Sequence, residues 1–344
     1  MTDLWTELKE SKNKVYVYGT GNGADKLFEV LNAYGIQVSG VFVSDGFVRD
    51  KSYRGFKICS YDEISKNSAD FIVLTAFGSN RQEVIENIKR IAAERQLYAP
   101  DLPVYGDQLF NAEFYAVHQS DIEFVRSRLS DSRSVYVFEN ILNYKLSGKI
   151  DYLFDCQSDR HEVYENILKP SEREIYIDLG AYRGDTVAEF LEYAGGYAEI
   201  YAVEPDKKSY DKLAAKYSDY KNIFCINAAA GCGIKDVKFQ FESGRGSHIS
   251  DTGMKVASCS VDGILNGSKA TVIKMDVEGS ESNAVAGAAQ TILRYKPRLQ
   301  IAAYHRSEDI FSIVRQVLNI RDDYRVFMRH HPYIPAWDTD YYFI

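Results

Sequence analysis

The sequence predicts an α/β chain made of two Rossmann-like units, a smaller one first and a larger one after it. Three observations carry this reading. A strand that stops at glycines and gives way to a helical stretch occurs twice, at 15–33 and again from residue 174. In the second half, strands and helices then alternate strictly, which implies parallel strands with helices on both faces of a sheet. The alternation ends in two strands, Tyr324–Met328 and Thr339–Ile344, joined by a loop with two prolines that is short enough for an antiparallel hairpin.

The first unit opens with an amphipathic, charged stretch at 1–10 that does not read as a signal segment. Val15–Tyr18 is a strand, Gly19–Ala24 a turn, and a helix is expected from about Asp25 to Ala33. Val38–Val43 is the next strand, with Asp45 just beyond it. Phe71–Ala76 is a later buried strand, and Gln82–Glu94 a helix with apolar residues at 84, 85, 88 and 91. The unit closes near Gly106, which sets a first domain at 1–108. Gly19, Gly21 and Gly23 with Asp45 downstream form a Rossmann-like fingerprint, and two readings stand side by side. One is a second nucleotide or nucleotide-sugar site; the other is a degenerate module that packs against its neighbour or mediates assembly.

Residues 109–170 read as a helical connector or lid. Ser120-Asp-Ile-Glu resembles a helix start, and Ile122, Val125 and Leu129 recur at helical spacing. As a lid it would offer Arg133, Tyr144 and Tyr164 to a substrate; as a connector it needs no ligand, and that reading is preferred.

The second unit, 171–344, orders its strands as 174–179, 200–204, 222–227, 271–275, 298–303 and the closing pair, with an irregular excursion before 271. Its first turn, Asp178-Leu-Gly180-Ala181-Tyr182-Arg-Gly184-Asp185-Thr186, carries an acid at the strand end and glycines that let the backbone turn and approach a ligand. The next strand ends in Glu204-Pro205, placed to take both hydroxyls of a ribose. Asp-x-Gly-x-x-x-Gly places a carboxylate where a pyrophosphate would be repelled and the cationic sulfonium of S-adenosylmethionine would be favoured. Asn227 and Ala228, after the third strand, complete the expected cofactor wall. Gly195 and Gly196 close the first helix.

These motifs, with Lys274-Met-Asp-Val-Glu-Gly-Ser-Glu281 and Tyr304-His-Arg-Ser-Glu-Asp-Ile310, make residues 164–344 resemble the FkbM family of S-adenosylmethionine-dependent methyltransferases. The resemblance implies a class I methyltransferase fold, a seven-stranded Rossmann-like sheet with an antiparallel last strand, and O-methylation in glycan or natural-product biosynthesis. It does not extend clearly over the first hundred residues, where the likeness to small Rossmann-like domains of glycan-modifying enzymes is one of fold alone.

Chemistry should lie beyond the carboxyl ends of the strands. Asp276 and Glu278 follow the fourth strand, His305 follows the fifth, and Ser247 and His248 lie in a glycine-rich loop of the excursion as further substrate contacts. Methyl transfer to an alcohol needs positioning and a base, for which His305 ranks slightly ahead of Asp276, the latter also a cofactor contact. Asp276, Glu278 and His305 could instead hold Mg or Mn, or Glu278 could serve the dipole of the following helix. If strand geometry persists past Asp276, that residue and Glu278 share a face. His330 and His331 read as exposed loop residues in the last hairpin, with Tyr333 and Trp337 either lining an entrance or anchoring the hairpin.

A net charge of -8 without a basic cluster argues against nucleic acid as the partner and for a small-molecule or glycan hydroxyl acceptor. Cysteines 59, 156, 225, 232 and 259 form no Cys-x-x-Cys pair, so reduced, mostly buried thiols in the cytoplasm are expected. No apolar run approaches the length of a membrane span. A homodimer is left open. Two rival functions also stand: a nicotinamide-dependent oxidoreductase using the Gly19–Ala24 loop, and a scaffold that binds cofactor without catalysis.

Overall fold

The computed structural model describes residues 2–44, 52–68, 70–233, 236–240, 248–249 and 254–344. Asp45 and Ser247 lie outside the described residues, and only the main chain of His248 is described.

Two large sheets organise the chain. The amino-terminal sheet contains β1 (Lys14–Tyr18), β2 (Val38–Val43), β3 (Ser52–Tyr53), β4 (Phe56–Ser60), β5 (Phe71–Thr75) and β6 (Gln96–Tyr98), in the order β3-β4-β2-β1-β5-β6. All its neighbours run parallel except β3 and β4. The carboxy-terminal half begins with β7 (Ile175–Leu179), β8 (Glu199–Val203) and β9 (Ile223–Ile226). A small four-stranded sheet follows, made from β10 (Ala229–Ala230), β11 (Asp236–Gln240), β12 (His248–Ile249) and β13 (Met254–Cys259). The main sheet resumes with β14 (Val272–Met275), β15 (Arg298–Ala302), β16 (Val326–His330) and β17 (Thr339–Phe343).

The order of the seven-stranded sheet is β16-β17-β15-β14-β7-β8-β9. Its first strand in sequence therefore lies between β14 and β8, so the chain turns back at β7 and leaves a crevice at the carboxyl ends of those three strands. β16 and β17 pair as the antiparallel hairpin expected from their short connection, and β17 inserts antiparallel between β15 and β16. Apolar runs make β7 and β14 central: Tyr176, Ile177, Val272, Ile273 and Met275 are all at most 2% exposed. Helix 185–194 is pinned to one face by Phe190, whose ring stacks on Tyr176 at 4.0 Å. Helix 309–320 covers the opposite face with Ile310, Ile313, Val314 and Val317 fully buried, each such side chain contributing about 1.5–3 kcal/mol.

Several expectations need correction. The helix after β1 runs Asn22–Tyr34, because Gly21 already adopts the extended cap conformation, and so Gly23 sits inside the helix. Ser120 does not cap its helix, which spans Gln119–Arg128 and follows the helix 112–117 through His118. Tyr144 is wholly buried with its hydroxyl donating to the Ala99 carbonyl, Tyr164 stacks on Tyr193 at 4.2 Å, and Arg133 donates to the Gln157 carbonyl. All three make contacts between elements. His330 and His331 are not exposed: both are at most 1% accessible, His330 ending β16 and His331 bonded through Nδ1 to the Ser158 carbonyl. Burial pushes them down to about 3 and about 4, so both imidazoles are neutral. Of the five cysteines only Cys156 is buried, Cys232 is exposed and the rest are half-buried. No helix among the described residues is long and apolar enough to cross a membrane.

The connector is anchored by a buried ion pair, Lys145 Nζ to Asp101 Oδ2 at 2.8 Å, with both side chains at most 7% exposed. Removing one partner leaves the other charge buried and unpaired. Lys145→Met is expected to lower unfolding free energy by about 3 kcal/mol in denaturant titrations, and adding Asp101→Leu to recover part of it. An additive double variant would show that the pair carries no coupling.

Candidate functional site

Adjacent strand ends β14, β7 and β8 put Asp276, Gly180 and Glu204 in one row. Asp276 N donates to the Leu179 carbonyl at 3.1 Å, and the amides of Gly180 and Ala181 both donate to the Val203 carbonyl at 3.0 Å. Gly180 is needed here on two counts: its φ is +85°, and a Cβ would overlap the Asp276 carbonyl oxygen. Gly184, at φ +82°, likewise lets Tyr217 close over the turn, with the Tyr217 hydroxyl donating to the Gly184 carbonyl at 2.8 Å. The turn thus passes directly against its neighbours and leads into helix 185–194, opened by Asp185.

Asp178 is fully buried. Thr186 Oγ1 donates to it, and the Lys274 ammonium, across the β7–β14 register, lies 3.4 Å from it. The cation that sequence reasoning assigned to a ligand is therefore supplied by the protein. Lys274 also lies 3.8 Å from Asp276. Burial alone would depress the lysine, but Asp178, Asp276 and Asp340 outweigh it and hold the ammonium charged.

Glu204 is 6% exposed and accepts from the amides of Tyr182 at 2.9 Å and Asp206 at 2.8 Å. Burial raises its carboxyl to about 7 against those two hydrogen bonds, with Asp206 and Asp178 adding to the rise. Asn227 Nδ2 donates to the Glu204 carbonyl at 2.8 Å and to the Pro205 carbonyl at 3.1 Å, fixing the loop from behind, while Ala228 is buried. Tyr182, at φ +48° and 39% exposed, projects from the turn.

Across the crevice, β14 and β15 bring Asp276, Glu278 and His305 together as the sequence implied. The strand geometry does not persist beyond Asp276: Glu278 has φ +53° and Gly279 φ +88°, so the chain curls rather than alternating. His305 Nε2 lies 3.5 Å from Asp276 Oδ1 and 3.4 Å from Glu278 Oε2. A residue missed by sequence reasoning, Glu281, stands 2.9 Å from His305 Nδ1 and is wholly buried. Its signal was the last letter of the Lys274–Glu281 string, an acid at the first position of the helix 281–286. Glu281, not Glu278, opens that helix. Burial lowers the His305 imidazole, but Glu281 and Glu278 overcome this and raise it well above its usual range. Asp309, also buried, is pushed up to about 7. Asp276 is the most accessible member, its side chain 33% exposed, and accepts from the Tyr304 hydroxyl at 3.0 Å.

The loop 276–281 is clamped by the amino-terminal half. Gly279 leaves room for Tyr105, the Tyr105 amide donates to the His305 carbonyl at 2.9 Å, and Arg306 donates to the Gly279 carbonyl at 2.8 Å while lying over the Tyr105 ring at 4.0 Å. Tyr333 and Trp337 do not stand free at an entrance: they pack on Gly78, and Ser79 pairs with Ile334.

Residues 178–334 match the family model described as methyltransferase FkbM domain, and residues 11–96 match one described as C2185-like, N-terminal. A crystal structure described as methyltransferase FkbM from Methylobacillus flagellatus KT is 24% identical, with a TM-score of 0.74, covering 96% of this chain and 90% of that one. Fibrillarin from Aeropyrum pernix in complex with natively bound S-adenosyl-L-methionine is 13% identical over 51% of this chain and 67% of that one, at a TM-score of 0.33. Precorrin-6y C5,15-methyltransferase from Geobacter metallireducens GS-15 is 10% identical over 54% of this chain and 90% of that one, at 0.35. No curated protein matches the chain. With its strand order and its turn at Gly180, the carboxy-terminal half of this chain has the fold of that FkbM methyltransferase, and residues 178–334 carry the match to the FkbM methyltransferase domain.

Proposed function

We propose that the carboxy-terminal domain transfers the methyl group of S-adenosylmethionine to a hydroxyl oxygen on a sugar, a glycan or a natural-product intermediate. The observation that carries this is the row formed by Glu204, the Gly180–Gly184 turn and Asp276 on three adjacent strand ends, with the Glu204 carboxylate at one end and a carboxylate–imidazole group at the other. The family of the domain supports methyl transfer as the reaction class. The presence of an appended Rossmann-like unit favours a sugar, and we read that unit as a packing and assembly module rather than a second catalytic centre. Free cysteines fit a reducing cytoplasm.

In this reading the Glu204 carboxylate accepts from the ribose hydroxyls and the turn 180–186 lies along the methionine end, supported from beneath by the Asp178–Lys274 pair. The donor arrives with its methyl carbon already activated, so the protein supplies alignment and a proton acceptor. The acceptor oxygen attacks that carbon as the sulfur–carbon bond breaks, the electron pair stays on sulfur, and the hydroxyl proton goes to Asp276. Asp276 is chosen over His305, the first choice on sequence, because it is reachable from the crevice whereas His305 is 1% exposed and sits behind it. His305 and Tyr304 hold the carboxylate in place.

Calorimetry with S-adenosylhomocysteine is expected to show one site, with Glu204→Gln weakening it by about 10–100-fold through loss of charged hydrogen bonds. Because the free carboxyl titrates at about 7 and the ligand needs the charged form, affinity should drop about tenfold per pH unit below about 7 and be flat above about 8. The variant should lack this slope. Affinity that rises on acidification would sink the ribose assignment. With an acceptor found by a methyl mass gain in a hydroxyl panel, Asp276→Asn should lower kcat by about 10²–10⁴ and leave homocysteine-product affinity within about threefold. Wild-type kcat in that variant would remove Asp276 as the base.

A further inference from the structure

We propose that Asp276, Glu281 and His305, with Glu278 beside them, form a binding site for a divalent cation of the hard, oxygen-seeking class, Mn²⁺ or Mg²⁺. Donor atoms of Asp276, Glu281 and His305 all lie within 4.8 Å of one another, and Glu278 Oε2 reaches 3.4 Å from His305 Nε2.

The first argument is unmet bonding. His305 is 1% exposed, and although carboxylate oxygens stand within 3.5 Å of both ring nitrogens, neither nitrogen is aligned for a hydrogen bond. Glu281 is in the same position: its Oε1 accepts from the Val277 amide at 2.8 Å, while its buried Oε2 has no hydrogen-bond partner. A buried imidazole and a buried carboxylate oxygen without aligned partners cost about 1–3 kcal/mol each unless something else satisfies them. Ligands about 2.1–2.4 Å from one ion, at right angles to each other, are separated by about 3.0–3.4 Å. The Nε2 distances of 3.4 and 3.5 Å match such ligand–ligand edges better than they match hydrogen bonds.

The second argument is charge. Four carboxylates, those of Asp276, Glu278, Glu281 and Asp309, surround one imidazole, and the nearby ammonium of Lys274 is shared with Asp178. Buried excess negative charge is relieved either by protons or by a cation.

Donor chemistry sets the class. Carboxylates with a single imidazole and no thiolate suit Mg²⁺ or Mn²⁺ rather than a thiophilic ion. The mount is firm: the Val277 amide orients Glu281, and Tyr105 and Arg306 hold Gly279 at the tip of the curl. Binding of the ion stands on these observations alone. Its use, lowering the pKa of the acceptor hydroxyl beside Asp276, rests on the transferase reading.

The test uses the full chain, stripped with chelator, desalted and titrated with Mn²⁺ without any methyl donor. Electron paramagnetic resonance and calorimetry should report one saturable ion per chain, with a nitrogen hyperfine coupling that disappears in His305→Gln. Asp276→Asn and Glu278→Gln, both partly exposed, should weaken Mn²⁺ at least about tenfold while keeping the native circular dichroism spectrum. Mn²⁺ should raise the Tm of the parent protein more than that of either variant. Absence of saturable Mn²⁺ binding, or binding equal in parent and variants, overturns the site. S-adenosylhomocysteine affinity, measured separately on the same stripped protein, separates this failure from failure of the transferase reading: loss of that affinity with Mn²⁺ binding intact would remove the latter alone.

Discussion

The site depends on one buried ammonium. Lys274 lies on β14 opposite Asp178 on β7, and its charge is what allows a carboxylate to be wholly buried at the centre of the sheet. Because Lys274 points toward Asp276 as well, the same cation ties the floor of the turn 180–186 to the first residue of the curl 276–281. The two loops that meet in the crevice are thus linked through a shared counter-charge as well as through the contact of Gly180 with the Asp276 carbonyl. A buried pair of this kind is a poor source of net stability, since desolvation offsets much of the attraction. It is effective in register: a one-residue slip of either strand would leave a charge on the wrong face and unpaired.

That interaction also explains what could and could not be read from the sequence. The succession of strands along the chain, the antiparallel closure and the turn at Gly180 were legible because they follow from local pattern: β-branched runs, glycines in a tight turn, a short loop between the last two strands. The grouping of Asp276, Glu278 and His305 was legible because strand ends on one edge of a parallel sheet converge. The partner of Asp178 was not, because Lys274 is distant in sequence and a lysine in an apolar strand gives no sign of what it faces. Glu281 was passed over for a related reason. Only the curl produced by Glu278 and Gly279 returns the chain so that an acid at the helix start, rather than one at alternating strand spacing, reaches the imidazole.

Burial of His330 and His331 was hidden by the same limitation. Adjacent histidines near proline suggest a surface loop, but β16 extends through His330, whose Nδ1 lies 2.9 Å from Thr339 Oγ1, while His331 bonds the Ser158 carbonyl and the Tyr342 hydroxyl. Both rings are therefore neutral spacers that satisfy polar groups in the joint between hairpin and connector.

The amino-terminal unit is joined to this arrangement more tightly than a tethered module would be. One apolar core runs from Tyr18, Phe42 and Val73 through Phe138 and Ile141 to Met275 and Ile301. Its glycines serve close approach: Gly23 brings its helix against the Ala76 carbonyl, and Gly78 accepts the Trp337 ring. At the far end, Tyr105 and the Gln108 carbonyl, which accepts from Ser307 at 2.6 Å, hold the segment that carries His305. Precision at a site built on loops has to come from the elements behind them. Here the curl at Gly279 and the strand end at His305 are both backed by residues contributed from before position 109, so the first unit forms part of the wall that sets the geometry of Asp276, Glu278 and His305.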